Sequence, residues 1–241
     1  VEVNSLAFDA VVLAGGRSSR LGGTPKQSLV FQGQTLLERA VAAAAGAGLT
    51  VVVGDTDFVP HRPSAAQPLP AWPADLLTCR EEPRFAGPAA AIAAGLEVLA
   101  AHHAGTGNGG GAPYTLVLAC DMPLASQAVA ALLDALVPSM EGTSGGVMAC
   151  AEDGRAQPLA GFYRTSELTK ACKALAARDA LVNGSVRALL ASLDVQLVTV
   201  PAGSTADVDT WGDVAALGIA AVNQREGQDR HSGGVNVGGN S

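Results

Sequence analysis

Apolar positions along this chain follow two periodicities. Asp9 to Ala14, Thr50 to Val53 and Tyr114 to Ala119 are short runs almost free of polar breaks, the pattern of strands buried on both faces of a parallel sheet. Longer stretches rich in Ala, Leu and Val predict helices at Thr35–Gly48, with Thr35 as N-cap, and at Pro88–His103. Leu76 to Arg80 suits a short strand. Downstream the pattern predicts a helix over 126–137 capped by Ser126, then strands at Gly146–Ala151 and Pro158–Arg164. The turn signal Glu152-Asp153-Gly154-Arg155 joins those two strands. Helices near 165–178 and 185–193, a strand at 194–200 and a helix near 210–221 close the pattern.

Strands alternating with helices define the α/β class, here a single three-layer α/β/α domain with a mostly parallel sheet. The hairpin-like pair breaks the alternation and makes the sheet mixed. The domain spans residues 1–222, with a proline-crowded loop near 55–75. A Gly-rich tract within 104–113 reads as a flexible insertion without chemistry of its own. Residues 223–241 are polar and Gly-rich and read as a disordered tail. The chain contains no internal repeat.

Composition narrows the function classes. The 241 residues suit one domain, and 48% hydrophobic with only 4% aromatic favours a helix-covered core over a β-sandwich. A formal net charge of −7 argues against a nucleic-acid footprint, which needs a basic face. No apolar stretch reaches the roughly 20 residues that span a bilayer, and no basic-then-apolar leader opens the chain. Cys79, Cys120, Cys150 and Cys172 form no C-x-x-C pair and read as buried thiols of a reduced cytoplasmic protein. His61, His102, His103 and His231 read as surface residues rather than a zinc site.

Against that acidic background one cationic segment stands out. After the strand ending at Leu13-Ala14 comes Gly15-Gly16-Arg17-Ser18-Ser19-Arg20-Leu21-Gly22-Gly23-Thr24-Pro25-Lys26. Positions without side chains let backbone N–H groups converge on phosphate oxygens, and Arg17, Arg20 and Lys26 add charge. The lysine follows a proline, so this is no Walker A loop, and the glycine spacing does not match the dinucleotide fingerprint. A tight turn with solvated cations would use the same glycines.

Asp121 follows the apolar run Tyr114–Ala119 and precedes Met122-Pro123, at the kind of strand end where open α/β sheets place ligands. An Asp-x-Pro of this sort either ligates Mg²⁺ or simply sits in a strand-to-helix loop. Asp207 and Asp209 lie two residues apart, so an extended segment points both the same way. Asp209 or Thr210 could equally cap the last helix. In Arg80-Glu81-Glu82-Pro83-Arg84-Phe85-Ala86-Gly87-Pro88, the Gly-Pro pair opens an Ala-rich helix, whose bland reading is close packing.

The strand, glycine pair, arginines and Pro-Lys, in that order, resemble the signature of the nucleotidyltransferases, above all the molybdenum cofactor guanylyltransferase family. The likeness runs from Val11 to about Leu217 through four ordered motifs. It implies a nucleotide-diphospho-sugar-transferase-like fold and an enzyme that joins GMP from GTP to molybdopterin with loss of pyrophosphate. It implies nucleotide contacts at Leu13, Ala14, Gly15, Gly16, Lys26, Gly87, Pro88 and Asp121, and gives the 80–92 segment to the base and ribose pocket, with Gly87 small because the base lies against it. Catalytic charge falls to Arg20, Lys26 and Asp121, and Mg²⁺ to Asp121 and Asp209. Gln157-Pro158-Leu159 through Tyr163-Arg164 resembles the strand that lines the acceptor side, while core filling is the plainer reading for Phe162 and also serves for Tyr163. Transient contact with molybdoenzyme maturation proteins is implied as well.

Two features pull the nucleotide choice apart. Leu-Ala-Gly-Gly points to guanylyl members, whereas Asp207-Val208-Asp209-Thr210 resembles the cytidylyl relatives, so CTP is the alternative. Trp211 stands where the family carries proline. A sugar-1-phosphate nucleotidyltransferase and a non-catalytic nucleotide-binding assembly factor are the other readings.

Overall fold

The computed structural model describes residues 6–15, 21–54, 76–106, 110–139 and 145–219. Gly16, Arg17 and Arg20, the 55–75 loop, part of the 104–113 tract and the 223–241 tail lie outside the described residues.

The chain runs β1 (Phe8–Leu13), a 3-10 turn (Lys26–Ser28), β2 (Val30–Phe31), β3 (Gln34–Thr35), α1 (Leu36–Ala43), β4 (Thr50–Val53) and β5 (Leu76–Cys79). It continues with α2 (Pro88–Gly105), β6 (Tyr114–Ala119), α3 (Ala125–Ser139), β7 (Gly146–Cys150) and β8 (Ala156–Arg164). Helices α4 (Thr165–Ala176) and α5 (Val186–Leu190), strand β9 (Val195–Thr199) and α6 (Trp211–Ala216) complete it. Seven strands form one sheet in the order β5-β4-β1-β6-β8-β7-β9. Within this sheet only β8 pairs antiparallel, with β6 on one side and β7 on the other. The mixed sheet expected from the 146–164 hairpin is therefore present.

Alternation along β1 explains the three layers. Phe8, Ala10 and Val12 pack with α1 and α3 in one cluster, while Val11 and Leu13 pack with α2, α4 and α5 in the other. The small residues of α2 let it lie close to the sheet. A Cβ on Gly95 would meet Val11 Cγ1 at 2.7 Å. A third cluster joins Leu21, Leu29, Phe31, Leu36, Val208, Val214 and Ile219, and ties the 3-10 segment and β2 to α6.

Several boundaries differ from expectation for local reasons. Thr35 caps α1 through a reciprocal box with Glu38, but the helix ends at Ala43 rather than Gly48. Ser126 lies inside α3, which already begins at Ala125, so it is not the cap. The last helix stops at Ala216 because Gly218 takes φ +66° and Ile219 N–H bonds back to Val214. The β2–β3 hairpin was not anticipated. Its turn residues Gln32 and Gly33 both have positive φ.

Two surface readings are also corrected. His103 Nε2 lies 2.7 Å from Oδ2 of buried Asp9, so this ring is a partner of the core edge. Ala112 sits in the tract read as a chemistry-free insertion, yet its N–H donates to Asp9 and its carbonyl accepts from Thr165. All four cysteines are free; Cys120, Cys150 and Cys172 are buried and Cys79 is half-buried.

Candidate active site

Strands β1, β4, β5 and β6 run parallel, so their C-terminal ends share one edge of the sheet. The chain leaves β1 toward β4 through α1 and reaches β6, on the other side of β1, through α2. A crevice opens where the winding reverses in this way. Leu13, Ala14 and Gly15 leave β1 there, and Cys120 and Asp121 leave β6 beside them. The Cys120 N–H donates to Leu13 O at 3.0 Å, and the Ala14 N–H to Val53 O at 2.8 Å.

Lys26 Nζ donates to Asp121 Oδ2 at 3.0 Å and also to Asp209 Oδ1. Two carboxylates from distant segments thus meet on one cation. The side chains are 21% exposed for Lys26, 23% for Asp121 and 42% for Asp209. Burial pulls the Lys26 ammonium toward neutrality, but Asp121 and Asp209 outweigh it and hold its pKa above the ordinary lysine value. Burial also pushes the Asp121 carboxyl above the usual carboxylate range against the opposing pull of Lys26, and nearby Asp207 adds to the rise. At Asp121, then, burial and the Lys26 cation act in opposite directions, and burial is the larger effect.

The loop that carries Asp209 is anchored at both ends. The Val208 N–H donates to Asp121 O at 3.0 Å, which ties the loop to the end of β6. Thr210 is the N-cap of α6, so the capping reading of this segment holds alongside the placement of Asp209. On the other flank, Arg39 from α1 donates to Pro123 O at 2.7 Å and lies 4.8 Å from the centre of the Phe31 ring.

Beside this cluster is a cleft lined by Ala14, Gly15, Gln27, Gly54, Arg80, Glu81, Arg84 and Phe85. Gly54 is demanded by packing, because a Cβ there would lie 2.7 Å from Gly15 N. Gly15 is not so constrained. A Cβ there would meet only Gly54 Cα at 3.8 Å and Glu81 Oε1 at 3.9 Å. Glu81 is buried, and its Oε1 accepts from the Phe85 N–H at 3.2 Å. Phe85 itself has φ +64° and remains exposed. A larger hollow, about 280 Å³, lies between α2 and α4 and shares none of these residues.

The structure brings together Leu13, Ala14, Gly15, Lys26, Asp121 and Asp209 from the expected set. Gly87 is at the N-cap of α2 with φ +93°, facing Asn183 and Gly184, and neither it nor Pro88 lines the cleft. Its glycine is favoured by backbone conformation, while a Cβ there would come no closer than 3.5 Å to that turn. Tyr163 and Phe162 are both core residues, Phe162 edge-on to Phe8 at 5.0 Å. Arg164 pairs with Tyr114 at the far end of β6, so only the Ala156 end of β8 approaches the site edge. Gly54 and Arg39 were missed, whereas Glu81 belongs to the 80–92 segment that the resemblance gives to the base and ribose pocket. Gly54 follows an apolar strand as Gly15 does and was legible on that ground, whereas nothing local marks Arg39.

The family model described as a MobA-like NTP transferase domain matches residues 10–198 and so spans every one of these elements up to β9. This chain is a member of that family. It is accordingly an enzyme of the nucleotidyltransferase class. A protein from Mycobacterium ulcerans named "Probable molybdenum cofactor guanylyltransferase" is 33% identical over 89% of this chain and 95% of its own length. Among solved structures, molybdopterin-guanine dinucleotide biosynthesis protein A from Archaeoglobus fulgidus superposes with a TM-score of 0.59 at 17% identity, over 87% of this chain and 96% of that one. The 2-C-methyl-D-erythritol 4-phosphate cytidylyltransferase from Thermus thermophilus superposes at 0.57 with 20% identity, over 88% and 97%. Both likenesses concern the fold.

Proposed function

We propose that this enzyme transfers GMP from GTP to a phosphate of molybdopterin and releases pyrophosphate. The observation that carries the reading is the meeting of Lys26 with Asp121 and Asp209 at the sheet edge where β1 and β6 end. A cation at a strand-end edge suits a triphosphate, and paired carboxylates suit a divalent ion.

The donor set fits Mg²⁺. Asp121 and Asp209 offer hard oxygens to a single position, the one Lys26 Nζ takes. Mg²⁺ is commonly held by one or two carboxylates together with substrate phosphates, so a cage of protein ligands is not needed. Among the described residues no group of three or more His, Cys, Asp or Glu forms such a cage. When bound, the ion would offset charge on the phosphate under attack.

The remaining chemistry belongs to the chain. An acceptor phosphate oxygen attacks the α-phosphorus, a P–O bond forms, and the bond to pyrophosphate breaks. The acceptor is already ionised at neutral pH, so no general base is required. Lys26, with Arg20 from the preceding loop, supplies positive charge to the β- and γ-phosphates. Leu13, Ala14, Gly15 and Gly16 present backbone to the nucleotide. Gly87 and Pro88, which open α2, lie against the base.

Glu81 supports GTP over CTP. Guanine presents adjacent N–H donors on its pairing edge, which a carboxylate accepts, whereas cytosine offers one amino donor beside acceptors. Four free thiols suit a reducing compartment, and we place the enzyme in the cytoplasm. Contact with molybdoenzyme maturation proteins, which would take up the product, belongs to the same reading.

A pyrophosphate-release screen of GTP, CTP, ATP and UTP against molybdopterin and several sugar 1-phosphates tests this. Release with GTP and molybdopterin, dependent on Mg²⁺, is the expected result. Preference for CTP or for a sugar 1-phosphate, or tight GTP binding without turnover on any acceptor, overturns it.

A further inference from the structure

We infer that Asp213 is the positioning residue that holds Asp209 opposite Asp121. This deepens the proposed function, since it concerns the carboxylate that would complete the Mg²⁺ site. Asp213 is the third residue of α6, and its Oδ2 alone takes three hydrogen bonds. The Asp209 N–H reaches it at 3.0 Å, the Thr210 N–H at 2.7 Å and the Thr210 hydroxyl at 2.8 Å. The Asp213 N–H in turn donates to Thr210 Oγ1 at 3.2 Å.

An ordinary capping box satisfies one N-cap amide. That is what Glu38 does for Thr35 in α1, with the Thr35 N–H at 2.6 Å from its Oε2. Asp213 goes one residue further and also takes the amide of Asp209. Two successive amides on one oxygen fix the peptide planes on either side of the Asp209 Cα. At the other end, buried Val208 is held to Asp121 O and packed in the third core cluster. Asp209 therefore sits between two fixed points, and its side chain leaves a backbone that cannot swing away from Asp121. The carboxylate of Asp213 feels the Lys26 charge, but its hydrogen bonds go to Asp209 and Thr210, so it acts through Asp209.

Matched variants of the two boxes separate positioning from plain helix capping. Mn²⁺ binding is read by electron paramagnetic resonance on the full chain with α,β-methylene-GTP, and thermal melting is read in parallel. Asp213→Ala is expected to weaken Mn²⁺ at least tenfold and Asp213→Asn, which keeps one acceptor oxygen, about threefold. Glu38→Ala and Glu38→Gln are expected to lower the melting temperature and leave Mn²⁺ affinity within twofold of the unaltered protein. Should Asp213→Ala fail to fold, the comparison of Asp213→Asn with Glu38→Gln carries the test. Unchanged Mn²⁺ affinity in the folded Asp213 variants, or equal weakening in the Glu38 variants, overturns the inference. Failure of the unaltered protein to bind Mn²⁺ with the analogue would instead strike the proposed function.

Discussion

Lys26 Nζ and Asp121 Oδ2 stand 3.0 Å apart, although 95 residues separate them in the chain. Neither residue is on a long element. Lys26 opens a 3-10 turn after the Gly-rich loop, and Asp121 is the second residue beyond β6. The contact exists because β1 and β6 are parallel neighbours in register, Leu13 opposite Ala119, so that the segments leaving the two strands emerge on the same edge.

Removing either charge is expected to cost turnover rather than the fold. Lys26→Ala and Asp121→Ala should each lower kcat by about 100- to 1,000-fold, or about 2.7–4 kcal/mol of barrier, as for other preorganised charges. Steady-state pyrophosphate release checks the rate, and a cooperative melt with native circular dichroism checks the fold. Near-normal turnover in both variants would remove these residues from the chemistry.

Glu81→Gln tests nucleotide choice. Replacing the buried acceptor with an amide should reduce the ratio of kcat/KM for GTP over CTP by about tenfold or more, the loss of one base-edge interaction being roughly 1–3 kcal/mol. The measurement is competition between the two nucleotides at fixed Mg²⁺. An unaltered ratio would show that Glu81 only holds the Phe85 amide.

Cys79 ends β5 next to the cleft, and its thiol is pushed up to about 11, first by burial and then by Glu81 and Glu97. The neutral thiol is favoured by the folded state, so this contribution to stability is complete below the unfolded thiol pKa and lost as pH rises toward 11. Alkylation of Cys79 by iodoacetamide should keep accelerating well above pH 9, where a free thiol has levelled off. Glu81→Gln should move that profile to lower pH. A plateau near the free-thiol value in the folded protein would contradict the assignment.

Gly54→Ala should destabilise the site edge. The added methyl meets Gly15 N at 2.7 Å and Ala14 C at 2.8 Å, both backbone, at a φ of +140° that L residues rarely adopt. A loss on the order of 1–3 kcal/mol is expected from strain and overpacking together. Urea unfolding measures it, and Gly15→Ala, whose Cβ meets nothing closer than 3.8 Å, is the comparison with a smaller loss.

Local pattern was enough for the strands of the main sheet and the helices that cover it, though not for the two-residue strands of the β2–β3 hairpin. Unbroken apolar runs marked β1, β4 and β6, Ala-rich stretches marked α2 and its neighbours, and the turn at 152–155 revealed the antiparallel pair. Asp121 was legible because a carboxylate directly after a buried strand lies at an edge where ligands bind, and Lys26 because its loop is cationic in an acidic chain. These signals are short-range, carried by side-chain periodicity and backbone preference within a few residues. The decisions made by tertiary structure are long-range. Sheet order set which strand ends are neighbours, and so brought Lys26, Asp121 and Asp209 together and turned Tyr163 and Arg164 away. Burial converted Glu81 from one of two adjacent acids into part of a cleft wall. A positive φ at the α2 N-cap, visible only in the folded backbone, already calls for glycine at Gly87. The Gly-rich loop shows that a cation is available, and the register between β1 and β6 determines which carboxylates it meets.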